Sequence, residues 1–206
     1  MVKIKQITCL LFIGSLWGLN EMITGDFLYS KDIPLASVWL SSIALFLLSA
    51  GRAIAHWPGS SATISVIASL FRLVNAGPYL CHLLGILMLG LAFEAVVSLL
   101  SGFRTKKATR LSLIGILSAY GSHILFALVI TYAIRYAYWV SGGLTKVLDH
   151  IFVSGSFLAM LAVFLVPLGF YLGKKSETLF LRQLRLSLTG IFILTLLFWL
   201  TGRFVG

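Results

Sequence analysis

Apolar residues in this chain come in long runs broken by short polar clusters, rather than as the stripe of roughly 3.6-residue period that marks a surface helix. Runs of about 18 or more apolar residues are long enough to cross the hydrocarbon core of a bilayer as helices. The breaks fall at "GDFLYSKDIP", "HWPGSS", "NAGP", "GFRTKKATR", "VSGGLTKVLD" and "GKKSETLFLRQLR". They predict segments over about 4–24, 34–55, 60–74, 79–101, 111–139, 150–172 and 186–201. Pro34 suits a first helical turn, and Pro58 with Gly59 punctuates the second break. The fold class expected is all-α: a polytopic membrane helix bundle of six to seven transmembrane helices, forming one integral membrane domain over 1–206. The third segment is the weak point. At about 1.5 Å per residue it covers roughly 22 Å, short of a hydrocarbon core of roughly 30 Å.

Composition sharpens this picture. Hydrophobic residues make up 59% of the 206 and charged residues only 11%, where soluble domains carry about a quarter. No stretch is polar enough for a separate soluble domain. The net charge of +10 would point to nucleic acid in a soluble protein. Here no basic stretch is interleaved with a polar binding surface, and loops contacting anionic headgroups account for the charge. With seven crossings, eleven of the sixteen Lys and Arg fall on the side of the amino terminus, which makes that side cytoplasmic. The opening "MVKIKQITCLLFIGSLWG" resembles a signal peptide without a small-x-small cleavage site, and is read as a retained first span. Cys9 and Cys81 have no metal-type spacing and read as small core residues.

Ionisable groups at bilayer depth cost about 2.5–3.5 kcal/mol on insertion scales, so they mark cavities, partners or the bundle interior. Asn20 and Glu21 close the first segment. Three roles stand open for Glu21: an interfacial carboxylate, a ligand contact, or an internal salt bridge with Arg72 or Arg135. Tyr79 and His82 open the fourth segment at i, i+3. Tyr132, Arg135 and Trp139 close the fifth at i, i+3, i+7, and Asp149 with His150 opens the sixth. All of these map to the outer level. Trp and Tyr gather at membrane interfaces for purely physical reasons; the same cluster has the mixture that lines a pocket for a small polar or heteroaromatic ligand.

His123 falls near the middle of the fifth segment. It reads either as a neutral imidazole bonded across helices or as a haem ligand, the latter requiring a second ligand at matched depth. His82 and His150 are expected nearer the surface. Glu94 lies in the cytoplasmic half of the fourth segment and would pair with Arg52, a neighbouring span or a partner subunit. Gly14 and Gly18 form a small-xxx-small pair suited to close helix packing. There is no Walker-type loop, no serine or metal protease motif and no paired carboxylates for hydrolysis, so neither an enzyme nor self-powered transport is expected, and no cofactor is called for. No internal repeat is visible.

"LWGLNEMITG", the hairpin "WPGSSATISVIASLFRLVNAGPYL" and "GILMLGLAFEAV" together resemble the S components of energy-coupling factor (ECF) transporters. The resemblance covers roughly 15–100, more weakly through the sixth segment. It rests on Leu16, Trp17, Gly18, Leu19, Glu21, Gly25, the Pro58–Gly59 break and Glu94. S components usually have six spans, so the seventh segment departs from the pattern. The resemblance implies a bacterial or archaeal cytoplasmic-membrane protein that captures a vitamin, metal or related micronutrient outside. A membrane coupling subunit and two cytoplasmic ATPases would then drive import as the S component topples. On this reading Asn20, Glu21, Tyr79, His82, Tyr132, Arg135 and His150 line the substrate pocket, the 25–33 loop is its lid, and Gly14, Gly18 and Glu94 face the coupling partner. A non-catalytic accessory subunit of a larger membrane complex is the alternative.

Overall fold

The computed structural model describes the backbone of residues 2–75, 80–101, 107–182 and 184–205, and within these the side-chain environments of 5–74, 80–101, 107–177 and 189–204. The chain folds as α1 (Val2–Ser30), α2 (Ala36–Ile54), α3 (Ser60–Asn75), α4 (Leu80–Leu100), α5 (Lys107–Leu128), α6 (Ala137–Leu148), α7 (Gly155–Arg182) and α8 (Leu184–Val205). Wide π-type turns extend α5 over Val129–Ala133 and lead into α7 over Asp149–Ser154. No strand occurs among the described residues. Five stretches are helical, long and apolar enough to cross a membrane, and α3 and α8 each supply a shorter apolar stretch. All-α architecture and the six-to-seven-helix membrane bundle therefore hold.

Each predicted segment is helical because a backbone away from water must bond to itself, and only helices and closed barrels do so completely. The core joins α1, α2, α4, α5 and α7 through Leu10, Trp17, Leu45, Phe93, Ile114 and Leu158, all nearly or fully buried. Outward-facing Leu99, Phe164, Phe192 and Phe204 are exposed. An apolar coat of this kind around a packed interior is what lipid contact requires.

The short third segment runs the length of the bundle. At one end the Glu94 carboxylate accepts the backbone amides of Gly59 (2.8 Å) and Ser61 (3.0 Å), holding the start of α3 against α4. At the other, the Arg72 guanidinium donates to the Glu21 carbonyl oxygen (2.6 Å) and pairs with Asp26 (3.3 Å). Arg72 is completely buried. An arginine inside a membrane bundle is tolerable only when carbonyls and carboxylates of neighbouring helices receive its hydrogens.

Several boundaries differ from expectation; one is that α7 continues through residues 173–182, where a break was expected. Residues 25–30 are helix, not loop, and the turn is confined to 31–35. Gly25 and Asp26 looked like breakers, but a helical glycine costs only about 1 kcal/mol; Arg72 on Asp26 and the ring of Tyr29 against His82 hold the last turns. Pro34 lies in that turn, two residues before α2 begins at Ala36. The fifth segment stops at Ala133 rather than at 139, because Arg135 adopts a left-handed conformation (φ 56°) and reverses the chain. The expected loop "VSGGLTKVLD" is mostly α6, bent at Gly143 (φ 58°, ψ −156°), a conformation open essentially to glycine alone.

The seventh segment is α8, docked on α1 and α3. Trp199 Nε1 donates to Ser15 Oγ (2.9 Å), its ring meets Phe71 edge-on, and Phe198 stacks on Phe12.

Candidate functional site

One end of the bundle holds a half-open cavity of about 380 Å³ between α1, α2, α4, α5, α6 and the turn entering α7. Its floor begins on α1. The fully buried Trp17 donates its indole N–H to Glu21 Oε1 (3.0 Å), a bond the i, i+4 spacing makes possible. The carboxylate is 6% exposed. About two turns further, Tyr29 lies against His82 of α4, ring centroids 4.8 Å apart. Ser37 and Ser41 line the α2 side.

The opposite wall is a nest of rings. His123 of α5 and His150 stack at 4.5 Å with 29° between planes. Trp139 meets His150 edge-on at 5.1 Å, and Phe126 lies 5.1 Å from Trp139 and 5.3 Å from His150. Edge-to-face and offset arrangements are what aromatic quadrupoles favour. His123 Nδ1 is 2.9 Å from the Ala119 carbonyl, which can only accept, so Nδ1 carries the hydrogen and Nε2 presents a lone pair. That Nε2 is buried and has no partner among the described residues, while the ring lines the cavity. A buried acceptor left without a donor is an invitation to a ligand or a water.

α6 closes this wall. Its bend at Gly143 turns the helix back on itself, so that Lys146 Nζ reaches the Tyr138 carbonyl (3.0 Å), lies 2.9 Å above the Tyr138 ring and 5.3 Å from that of Trp139. A cation over an aromatic face is attracted by the ring quadrupole. Trp139 is thereby held in the site at only 8% exposure, while Tyr138 is largely exposed.

Glu21, His82 and His150 come together around the cavity. Asn20 is on the next face of α1, its Oδ1 accepting from Thr24 (3.0 Å), and is not part of the wall. Tyr132 and Arg135 are exposed and also lie outside it. Their supposed common face with Trp139 requires one continuous helix, and the reversal at Arg135 breaks it. Tyr79 lies outside the described residues. Glu94 is engaged within the chain, at the start of α3 and 3.8 Å from Arg52. Gly14 and Gly18 are likewise used internally. A Cβ at Gly14 would come within 2.7 Å of Ile67, and one at Gly18 within 2.6 Å of Phe71. The small-xxx-small pair is thus the seat of α3.

His123 was expected too deep to meet His150. Ending α5 six residues earlier moves His123 about 9 Å closer to the end of its helix, and the wide turn at Asp149–Ser154 carries His150 inward to meet it. The stacked imidazoles present faces to each other, not nitrogens across a gap, so they are not disposed as two axial ligands of one haem. Among the described residues no three or more His, Cys, Asp or Glu are grouped to hold a metal ion. The sequence reading passed over Tyr29, Ser37, Cys81 and Phe126. Tyr29 was hidden by the misplaced helix end, and the others carry no local signal beyond being small or aromatic.

Long apolar helices, a lipid-type coat and a polar-aromatic chamber at one end define the chain as a helical integral membrane protein. No protein-family model, no curated protein and no solved structure matches it.

Proposed function

We propose that the chain is a small-molecule capture subunit of an ECF-type importer, non-enzymatic, with its amino terminus in the cytoplasm and its cavity opening outward. The observation that carries this reading is the half-open cavity of about 380 Å³ walled by Trp17, Trp139, His82, His123, His150 and Glu21. Its size falls in the range of small-ligand sites, about 300–1,000 Å³, and its apolar walls with few convergent polar groups are their usual chemistry. The buried His123 Nε2, which nothing in the described chain satisfies, is an acceptor available to a ligand on the cavity wall. The excess of Lys and Arg on the opposite side supports the outward orientation. The chain would rely on a membrane coupling subunit and cytoplasmic ATPases for energy. Since Gly14, Gly18 and Glu94 are engaged internally, coupling would use other surfaces.

The test is native mass spectrometry of the chain purified from membranes, with a pull-down from the same membranes. Expected are a retained small molecule in one-to-one ratio, its loss in Trp139→Ala, and co-purification of a coupling protein with ATPases. A chain that carries and binds nothing, in a complex without ATPases, overturns the proposal in favour of an accessory subunit.

A further inference from the structure

The cavity wall has a one-sided chemistry. Among its described lining residues Glu21 is the acidic one, and Lys and Arg are absent. Two acceptors stand on the wall, the Glu21 carboxylate and His123 Nε2, beside hydroxyls of Tyr29, Ser37 and Ser41 that can donate or accept. The remaining surface is largely π faces and edges, from Trp17, Phe126, Trp139 and the His123–His150 stack.

Charge bookkeeping around Glu21 points the same way. Arg72 is the buried cation beside it, but its guanidinium pairs with Asp26 at 3.3 Å and touches Glu21 only through the backbone carbonyl. Arg72 is thus tied to a half-exposed Asp26, and its charge reaches Glu21 without pairing with the Glu21 carboxylate. The Glu21 carboxylate forms no ion pair among the described residues; Trp17 gives it a hydrogen bond but no charge. A buried carboxylate with no ion-pair partner of its own gains from the arrival of a cation. Lys146 is not that cation: it is held on the Tyr138 ring and carbonyl and is not part of the cavity wall. Its perch shows, on the same helix, a ring face receiving an ammonium group.

We infer that the cavity selects a flat heteroaromatic cation bearing an N–H donor, with Glu21 as counter-charge, the Trp and His rings as its clamp and His123 Nε2 receiving the donor, and that it rejects carboxylate- or phosphate-bearing ligands. The inference rests on the capture reading. It narrows that reading to one charge class and removes Arg135, which lies outside the wall, from ligand recognition.

The experiment uses three probes sharing one ring and differing in charge: the N-methylnicotinamide cation, neutral nicotinamide and the nicotinate anion. Binding to the full chain in lipid nanodiscs is read by quenching of tryptophan fluorescence and by calorimetry. The expected order is cation, then neutral ring, then anion, with at least about tenfold between first and last. Glu21→Gln keeps an oxygen for the Trp17 N–H. It should weaken the cation roughly tenfold to hundredfold and the neutral ring by much less, with the fold of the variant checked separately by its circular dichroism and thermal unfolding. Equal or tighter binding of the anion, or an unchanged cation affinity in a Glu21→Gln protein that still binds the neutral ring, overturns the charge class and leaves capture standing. If none of the three binds and no small molecule is retained by the purified chain, capture itself fails and the inference falls with it. The wild-type ranking decides the charge class even if the variant does not fold.

Discussion

The Glu94 carboxylate offers the sharpest test of how the bundle is held. Its two oxygens receive the Gly59 and Ser61 amides at 2.8 and 3.0 Å, among the first donors of α3, and Arg52 stands 3.8 Å away. Hydrogen bonds to a charged group are worth about 1.5–3 kcal/mol each, so two of them bring α3 to α4 with about 3–6 kcal/mol. The Arg52 pair adds less, about 0–1 kcal/mol if it behaves as a partly exposed pair. That guanidinium also donates to the Trp57 carbonyl and to Ser60 Oγ (3.2 Å), so losing Glu94 does not strand it. Glu94→Gln keeps one acceptor and turns an amino group toward the other amide, costing about 2 kcal/mol. Glu94→Ala abandons both amides and costs about 3–5 kcal/mol. At roughly 2–4 °C per kcal/mol for a chain of this size, the midpoint of thermal unfolding in detergent falls by about 4–8 °C for Gln and by more than about 6 °C for Ala. Arg52→Met alone should cost little, and the double variant should be less than additive because the two side chains share one junction. Were Glu94→Ala to melt within about 1 °C of the parent while losing a partner protein in pull-downs, the carboxylate would belong to an intermolecular contact and the capping account would be wrong.

Other consequences are open to the same methods. Gly18→Ala places a methyl 2.6 Å from Phe71 Cβ and should destabilise the bundle by about 1–3 kcal/mol. Gly190→Ala, where a Cβ meets nothing within 4 Å, is the neutral control, and equal melting of the two would refute the α1–α3 packing argument. Gly143→Ala forces a side chain into φ 58°, ψ −156° at about 1–3 kcal/mol. Its strain is confined to α6, so ligand affinity should drop with little change in global melting; unchanged affinity would separate the bend from the site. Trp199→Phe keeps the ring contact with Phe71 but removes the hydrogen bond to Ser15, for a loss near 1 kcal/mol by thermal unfolding.

Much of the architecture was written in the chain before any fold was known. A sequence that is 59% hydrophobic and 11% charged, broken at "HWPGSS", "NAGP" and "GFRTKKATR" into apolar runs too long for barrel strands, leaves helices as the way for its backbone to satisfy itself in lipid. The seven helical segments follow from that alone. So does the expectation that Glu21, Arg72, Glu94 and His123 needed reasons for being there. What those reasons are was decided by neighbours distant in sequence. Gly25 and Asp26 read as breakers because local propensity is all a sequence displays; Arg72, 46 residues away from Asp26, keeps them helical. Gly14 and Gly18 were legible as a close-packing seam, but that α3 would fill it needed Ile67 and Phe71 to be placed there. The chamber itself was half legible. Glu21, His82 and His150 carried the signal of misplaced polarity, whereas the inward turn of His150 follows from the wide turn at Asp149–Ser154 and the clamp of Trp139 from a reversal at Arg135 and a bend at Gly143. Hydropathy counts residues along an axis, and no count along an axis shows a chain turning back across it.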